Sequence, residues 1–207
     1  ISLKKQAIKQ TFLDTVPVLT GYIFLGIGFG VLLYEKGYGA LWSAAMSLFI
    51  LAGSGQYVAV DLMANQASLL TVAVTTLLVN ARHLFYGISV LESYAGAGVR
   101  KPYMIFALTD ETYSLVTQKP TPEGMTRHQY CFLVSLLDHL YWVTGCVLGS
   151  VLGAALPVSF EGIEFVLTAL FVTILTEQWL STKNHRPAFI GMGATAVCLL
   201  IFGKDVF

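Results

Sequence analysis

Charge is what this chain has least of. Only 12% of its 207 residues are Asp, Glu, Lys or Arg, 12 acids against 12 bases, roughly half the share of an average soluble domain. That balance, with no basic run, removes the electrostatic grounds for a nucleic-acid partner. Cysteine is scarce as well. Cys131, Cys146 and Cys198 are odd in number, far apart and set in apolar sequence, which suits small packing residues rather than disulfides or a zinc site. The chain also has no His-Glu-x-x-His pair, no Gly-x-Ser-x-Gly elbow and no phosphate loop ending in Gly-Lys-Ser/Thr. Metalloprotease, serine-hydrolase and ATP-driven chemistry therefore lack their usual residues, and no cofactor or metal is expected.

What fills the chain is apolar. Hydrophobic residues make up 56% and the mean hydropathy is +0.70, which describes an integral membrane protein. Residues 15–34, 37–60 and 62–81 carry no charge, and about 20 apolar residues in a helix cross a hydrocarbon core. The pattern predicts an all-α, polytopic transmembrane bundle of about seven segments in one domain spanning 1–207. Their approximate spans are 13–34, 40–64, 68–92, 101–118, 128–155, 161–181 and 187–203. Glu35, Lys36 and Gly37 separate the first two, two prolines lie in 119–123, and Pro157 and Pro187 mark later boundaries.

Basic residues set the orientation, because short cytoplasmic loops are enriched in them. With the amino terminus inside, Lys4, Lys5, Lys9, Lys119, Arg127, Lys183 and Arg186 are cytoplasmic, against Lys36, Arg100, Lys101 and Lys204 outside. Residues 2–10 lack the apolar core of a secretion signal and read as a cytoplasmic lead into the first helix. A faint repeat is also present. An offset of 122 residues aligns Leu48, Phe49 and Gln56 with Leu170, Phe171 and Gln178, and one of 123 to 124 aligns Asp14, Gly26 and Gly30 with Asp138, Gly149 and Gly153. This suggests two parallel three-helix repeats, 11–92 and 128–203, joined by a linker helix at 101–118.

Polar groups inside apolar segments lose their water, so they need a partner or a polar cavity. Gly53, Ser54, Gly55 and Gln56 interrupt the second segment. Two glycines in three residues weaken a helix there, so either a break exposes N–H groups able to hold a carboxylate or small residues allow a close crossing. Asn80, Arg82 and His83 sit in the third segment with Tyr86 and Gly87. Arg82 keeps its proton and so needs an anion, whereas His83 can change charge near neutral pH. Thr109, Asp110, Glu111 and Thr112 fall in the fourth segment. Adjacent carboxylates cannot share a helix face, so one can pair with Arg82 while the other faces a cavity. Asp138 and His139 read equally as an interfacial cap or a proton-relay element, and Gln178 is a candidate through the repeat.

At these residues the chain resembles the azaleucine-resistance permease family, the AzlC-type large subunits of branched-chain amino-acid exporters. The resemblance rests on Gly26, Gly28, Phe29 and Gly30, then Ala52, Gly53, Ser54 and Gln56 within 47–57. It continues through Asn80, Arg82, His83, Tyr86 and Gly87 and then Thr109, Asp110 and Glu111. It implies a transporter of the bacterial inner membrane that exports valine, leucine and isoleucine together with a small AzlD-type membrane subunit. In that family another helix generally follows the segment that here ends near Gly203.

The leading expectation is a secondary transporter that binds a zwitterionic amino acid at mid-membrane. Gly53, Ser54, Gly55, Gln56, Asn80, Arg82 and Gln178 would bind substrate, with Phe29 and Phe49 around its branched side chain. His83, Asp110 and Glu111 would couple protons. Two other classes compete: an intramembrane hydrolase using His83 with Asp110 or Glu111, and a passive channel for small polar solutes. The four-residue spacing of Gly26 with Gly30 and of Gly149 with Gly153 also suggests a face for the small partner.

Overall fold

The computed structural model describes residues 3–156, 162 and 165–202, and among them every regular element is helical. The elements are α1 (Leu3–Glu35), α2 (Ala40–Phe49), α3 (Gly53–Ala64), α4 (Leu69–Asn80), α5 (Arg82–Ser89), α6 (Lys101–Phe106), α7 (Asp110–Gln118), α8 (Arg127–Ala155), α9 (Phe165–Ser181) and α10 (Arg186–Phe202). Among the described residues two helices, α1 and α8, are long and apolar enough to cross a membrane, and α4 with α5 forms a third such stretch bent by 42°.

Two compact units are present, 1–166 and 167–207. The first is organised on the pair α1 and α8, whose glycines let the backbones meet. A Cβ added at Gly26 would lie 2.8 Å from the backbone nitrogen of Cys146, and one at Gly145 would lie 2.7 Å from the carbonyl oxygen of Tyr22. At Gly30 and Gly149 the opposing backbone is closer still. A helix carrying Gly-x-x-x-Gly thus lies against one carrying the same spacing over three turns, the means by which membrane helices approach without a hydrophobic driving force. These glycines are consumed by internal packing, so the expected partner face on them is corrected: no open surface remains there.

Side chains tie further helices to this pair. Ser43 on α2 donates to the carbonyl of Cys146 at 2.8 Å, and the Tyr57 hydroxyl on α3 donates to the carbonyl of Leu25 at 2.7 Å. Tyr103 on α6 meets His139 Nδ1 at 3.0 Å. Arg127 closes the carboxyl end of α7 by donating to the carbonyls of Val116 and Lys119, as cations do at helix ends whose last carbonyls are free. By contrast α4 and α5 bury no residue fully, and their leucines and phenylalanine stand outward, Leu69 88% and Phe85 70% exposed. In the second unit α9 and α10 meet at a turn where Trp179 stacks on His185 with ring centres 4.0 Å apart.

Three of the stretches read from sequence as single segments are interrupted. The chain leaves helix between α2 and α3, turns at Ala81 between α4 and α5, and leaves helix again between α6 and α7. The first break falls at residues 50–52, just before the glycines rather than on them, with Leu51 at a φ of 46°. A buried leucine in the left-handed region is strained, and such strain persists only where the surroundings hold it. The repeat partner of this break is continuous, since α9 is helical from Phe165 to Ser181.

Candidate functional site

The three interruptions bring three helix amino termini together. Gly53 and Ser54 open α3, Arg82 opens α5 and Asp110 opens α7. The start of α7 is readable in its residues: Thr109 caps it, its hydroxyl accepting from the backbone N–H of Thr112 at 3.3 Å, and Asp110 and Glu111 occupy the first turn. A hydroxyl cap followed by two acids is what a helix start favours, because free N–H groups and the helix dipole both attract negative charge.

Arg82 is the hub. Its Nη1 forms an ion pair with Asp110 Oδ2, and its Nη2 donates to the Ser54 hydroxyl at 2.8 Å. The two charged side chains are 27% and 26% exposed, so the pair is partly desolvated. Each partner has spare capacity, since Arg82 Nε and Asp110 Oδ1 are buried without a hydrogen-bond partner. The expectation that a carboxylate of the fourth segment would pair with Arg82 is met by Asp110.

Glu111 points elsewhere, as adjacent residues on a helix must. Its Oε2 lies 2.6 Å from the Tyr22 hydroxyl of α1, which also lies 2.7 Å from the Thr109 hydroxyl. The Thr109 hydroxyl reaches that of Thr112 at 3.0 Å, and Thr112 donates to Asp138 Oδ2 of α8 at 2.7 Å. Sequence reasoning missed Tyr22. A tyrosine in an apolar run carries no periodic signal, because its ring belongs in a core whether or not its hydroxyl is used. Thr112 and Asp138 were noticed, but their connection was not legible.

The remaining candidates sit around this centre. Asn80 donates from Nδ2 to the carbonyl of Thr76 at 3.0 Å, leaving its Oδ1 buried and unpartnered. A Cβ on Gly55 would come within 3.1 Å of the Asn80 amide nitrogen, so this glycine makes room for Asn80. His83 Nδ1 lies 3.1 Å from the carbonyl of Asn80. Asn80 and His83 line a groove of about 360 Å³ whose walls include Leu77, Leu84, Ile105 and Leu108.

Gln56 is set apart. It is fully buried, and its Oε1 accepts from Trp142 Nε1 at 2.8 Å. The side chain of Gln178 lies outside the described residues. Two expectations about the apolar lining are corrected. Phe29 is sealed in the core, its ring centre 5.6 Å from that of Tyr57 and 6.3 Å from that of Trp142, and Phe49 points outward at 78% exposure. Among the described residues no group of three or more His, Cys, Asp or Glu is placed to hold a metal.

Relatives share this sequence over nearly its whole length. The chain is 39% identical over 97% of its residues to the branched-chain amino acid transport protein AzlC of Bacillus subtilis, of which it covers 79%. It is 41% identical to a Helicobacter pylori uncharacterized membrane protein, over 98% of this chain and 89% of the relative. A Haemophilus influenzae uncharacterized membrane protein is 40% identical over 98% of this chain and 83% of its own length. No solved structure matches. The family described as AzlC protein matches residues 17–156, the stretch that carries all three helix breaks and the Arg82–Asp110 pair, and the chain belongs to that family.

Proposed function

We propose that this protein is a secondary transporter that exports branched-chain amino acids across the bacterial inner membrane, with proton coupling and a substrate site where α3, α5 and α7 begin. Each broken pair, α2 with α3, α4 with α5 and α6 with α7, then counts as one span. With α1, α8, α9 and α10 this makes seven, with the amino terminus cytoplasmic. The Bacillus relative's name supports the substrate class. Among the chain's own features, the Arg82–Asp110 pair at the three helix starts carries the reading.

A zwitterion suits this pair because it brings one charge for each partner. Its carboxylate would take Arg82, including the spare Nε, and the free N–H groups at the start of α3. Its ammonium would take Asp110, including the spare Oδ1. Irregular backbone at membrane depth is tolerated where it lines such a site. The groove past Asn80 and His83 offers aliphatic walls for a branched side chain. Discrimination between valine, leucine and isoleucine by such walls is modest, about 1–3 kcal/mol per methylene. A small AzlD-type subunit completes the transporter in this reading.

The test is counterflow of labelled valine, leucine and isoleucine in proteoliposomes, with and without the small subunit. Saturable exchange of all three is expected. Unsaturable flux would return the channel reading, and consumption of a peptide or ester substrate the hydrolase one. In the same vesicles an imposed pH gradient should drive uphill movement. Asp110→Asn and Glu111→Gln should each remove that drive, by tenfold or more, while leaving some exchange. Uphill movement that follows sodium and ignores pH would overturn proton coupling.

A further inference from the structure

Between Glu111 and Asp138 the hydroxyls of Tyr22, Thr109 and Thr112 form an unbroken chain of four oxygen-to-oxygen links, of 2.6, 2.7, 3.0 and 2.7 Å. Every link has hydrogen-bond length. Each link needs one proton between its oxygens, and a hydroxyl has only one to give. Three hydroxyls therefore fill three links. With both carboxylates ionised, one link would set lone pair against lone pair among groups largely closed to water: Tyr22 is 5% exposed, Thr109 9%, Thr112 0% and Asp138 1%, with Glu111 half-buried at the other end.

We infer that Glu111 and Asp138 hold one proton between them, and that it passes from one to the other through the three hydroxyls. The fourth proton, on either carboxyl, completes the chain. In the passage from Asp138 to Glu111, the Asp138 O–H bond breaks as its proton bonds to Thr112. The Thr112 proton bonds to Thr109, that of Thr109 to Tyr22, and that of Tyr22 to Glu111. Each hydroxyl ends as it began, turned the other way, and one proton has crossed from α8 to α7 without water.

The surroundings agree with a pair carrying a single negative charge. Asp138 accepts one hydrogen bond at Oδ2 and has Oδ1 buried with no partner, poor solvation for a full charge. The charged neighbours of Glu111 are Asp110 and Arg82, which already face each other. The charged neighbour of Asp138 is Glu111, and the Tyr22 phenol beside it is neutral. His139 is turned away, to Tyr103 and the carbonyl of Ser47, and His83 acts on Asp110. Asp138 is thereby a second proton-holding group beside the substrate site. Its use in a transport cycle rests on the proposed function, but the shared proton does not.

Infrared titration of the purified protein in lipid, with no substrate and no gradient, tests it. The wild type should show one protonated-carboxyl stretching band near neutral pH. Glu111→Gln and Asp138→Asn should each abolish that band, since either amide supplies the fourth proton by donating into the chain. The near-isosteric Thr112→Val should move the pH at which it titrates, and Thr112→Ser should move it back. No band, a band lost in only one carboxamide variant, or one indifferent to Thr112→Val would each overturn the inference. A sound band in a protein that fails counterflow would leave the shared proton standing and sink the transport reading instead.

Discussion

Arg82→Ala is expected to lower exchange by about two orders of magnitude while the protein still inserts and purifies. Arg82 holds Asp110 on α7 and Ser54 on α3, so its loss frees three helix starts at once. Removing one partner of a wholly buried ion pair costs about 3–5 kcal/mol, mostly through the charge left behind. Here both side chains keep about a quarter of their surface, so the lower end applies, and about 3 kcal/mol corresponds to roughly a hundredfold in rate or affinity. Arg82→Lys should recover only part of this. It restores the charge but not the planar fork that reaches Asp110 and Ser54 together. Initial rates of counterflow in proteoliposomes of matched protein content measure both. Wild-type exchange in Arg82→Ala would remove the pair from the site.

The pair was legible in the sequence for a simple reason. An arginine and an acid within apolar runs have few ways to be satisfied, so their meeting could be expected from composition alone. Which acid meets Arg82 was not legible. Asp110 and Glu111 lie about 100° apart around α7, and the choice is made by α1, which brings Tyr22 to Glu111. The break between α6 and α7 could have been read. Thr109, Asp110 and Glu111 form a helix-start signature, yet the apolar residues on either side favoured a continuous segment from 101 to 118. A break beside Gly53 was one of two open readings of that stretch, and it falls before the glycines rather than on them, centred on Leu51 two positions earlier, because tertiary packing of that buried leucine rather than glycine flexibility holds the turn.

Gln56 shows a different limit. A buried amide in an apolar helix invites a binding role; here its Oε1 takes an indole N–H from α8 while its Nε2 stays buried without a partner. That indole lies 86 residues along the chain, beyond any local pattern. The glycine spacings had the same ambiguity. Gly26 with Gly30 and Gly149 with Gly153 were recognisable as a close-approach surface, but the sequence could not say whether the approaching helix came from this chain or another.

Opposite responses to the same glycine-to-alanine change should decide that question. At Gly149 an added Cβ meets the backbone of Ile27, and at Gly30 it meets the backbone of Cys146 and Ser150. Backbone cannot rotate away as a side chain can, so Gly149→Ala must push α1 from α8. Overpacking typically costs about 1–3 kcal/mol, and Leu at the same position should prevent recovery of folded protein. Gly21 lies on the same helix as Gly30, but a Cβ there finds nothing within 4 Å. Gly21→Ala should therefore only gain helix propensity, up to about 1 kcal/mol in the host peptides where it is measured. Thermal unfolding of the purified chain without any partner should thus fall for Gly149→Ala and hold or rise for Gly21→Ala. If Gly149→Ala instead leaves unfolding unchanged and weakens capture of the small subunit, the glycine face belongs to the partner and the close α1–α8 approach is wrong.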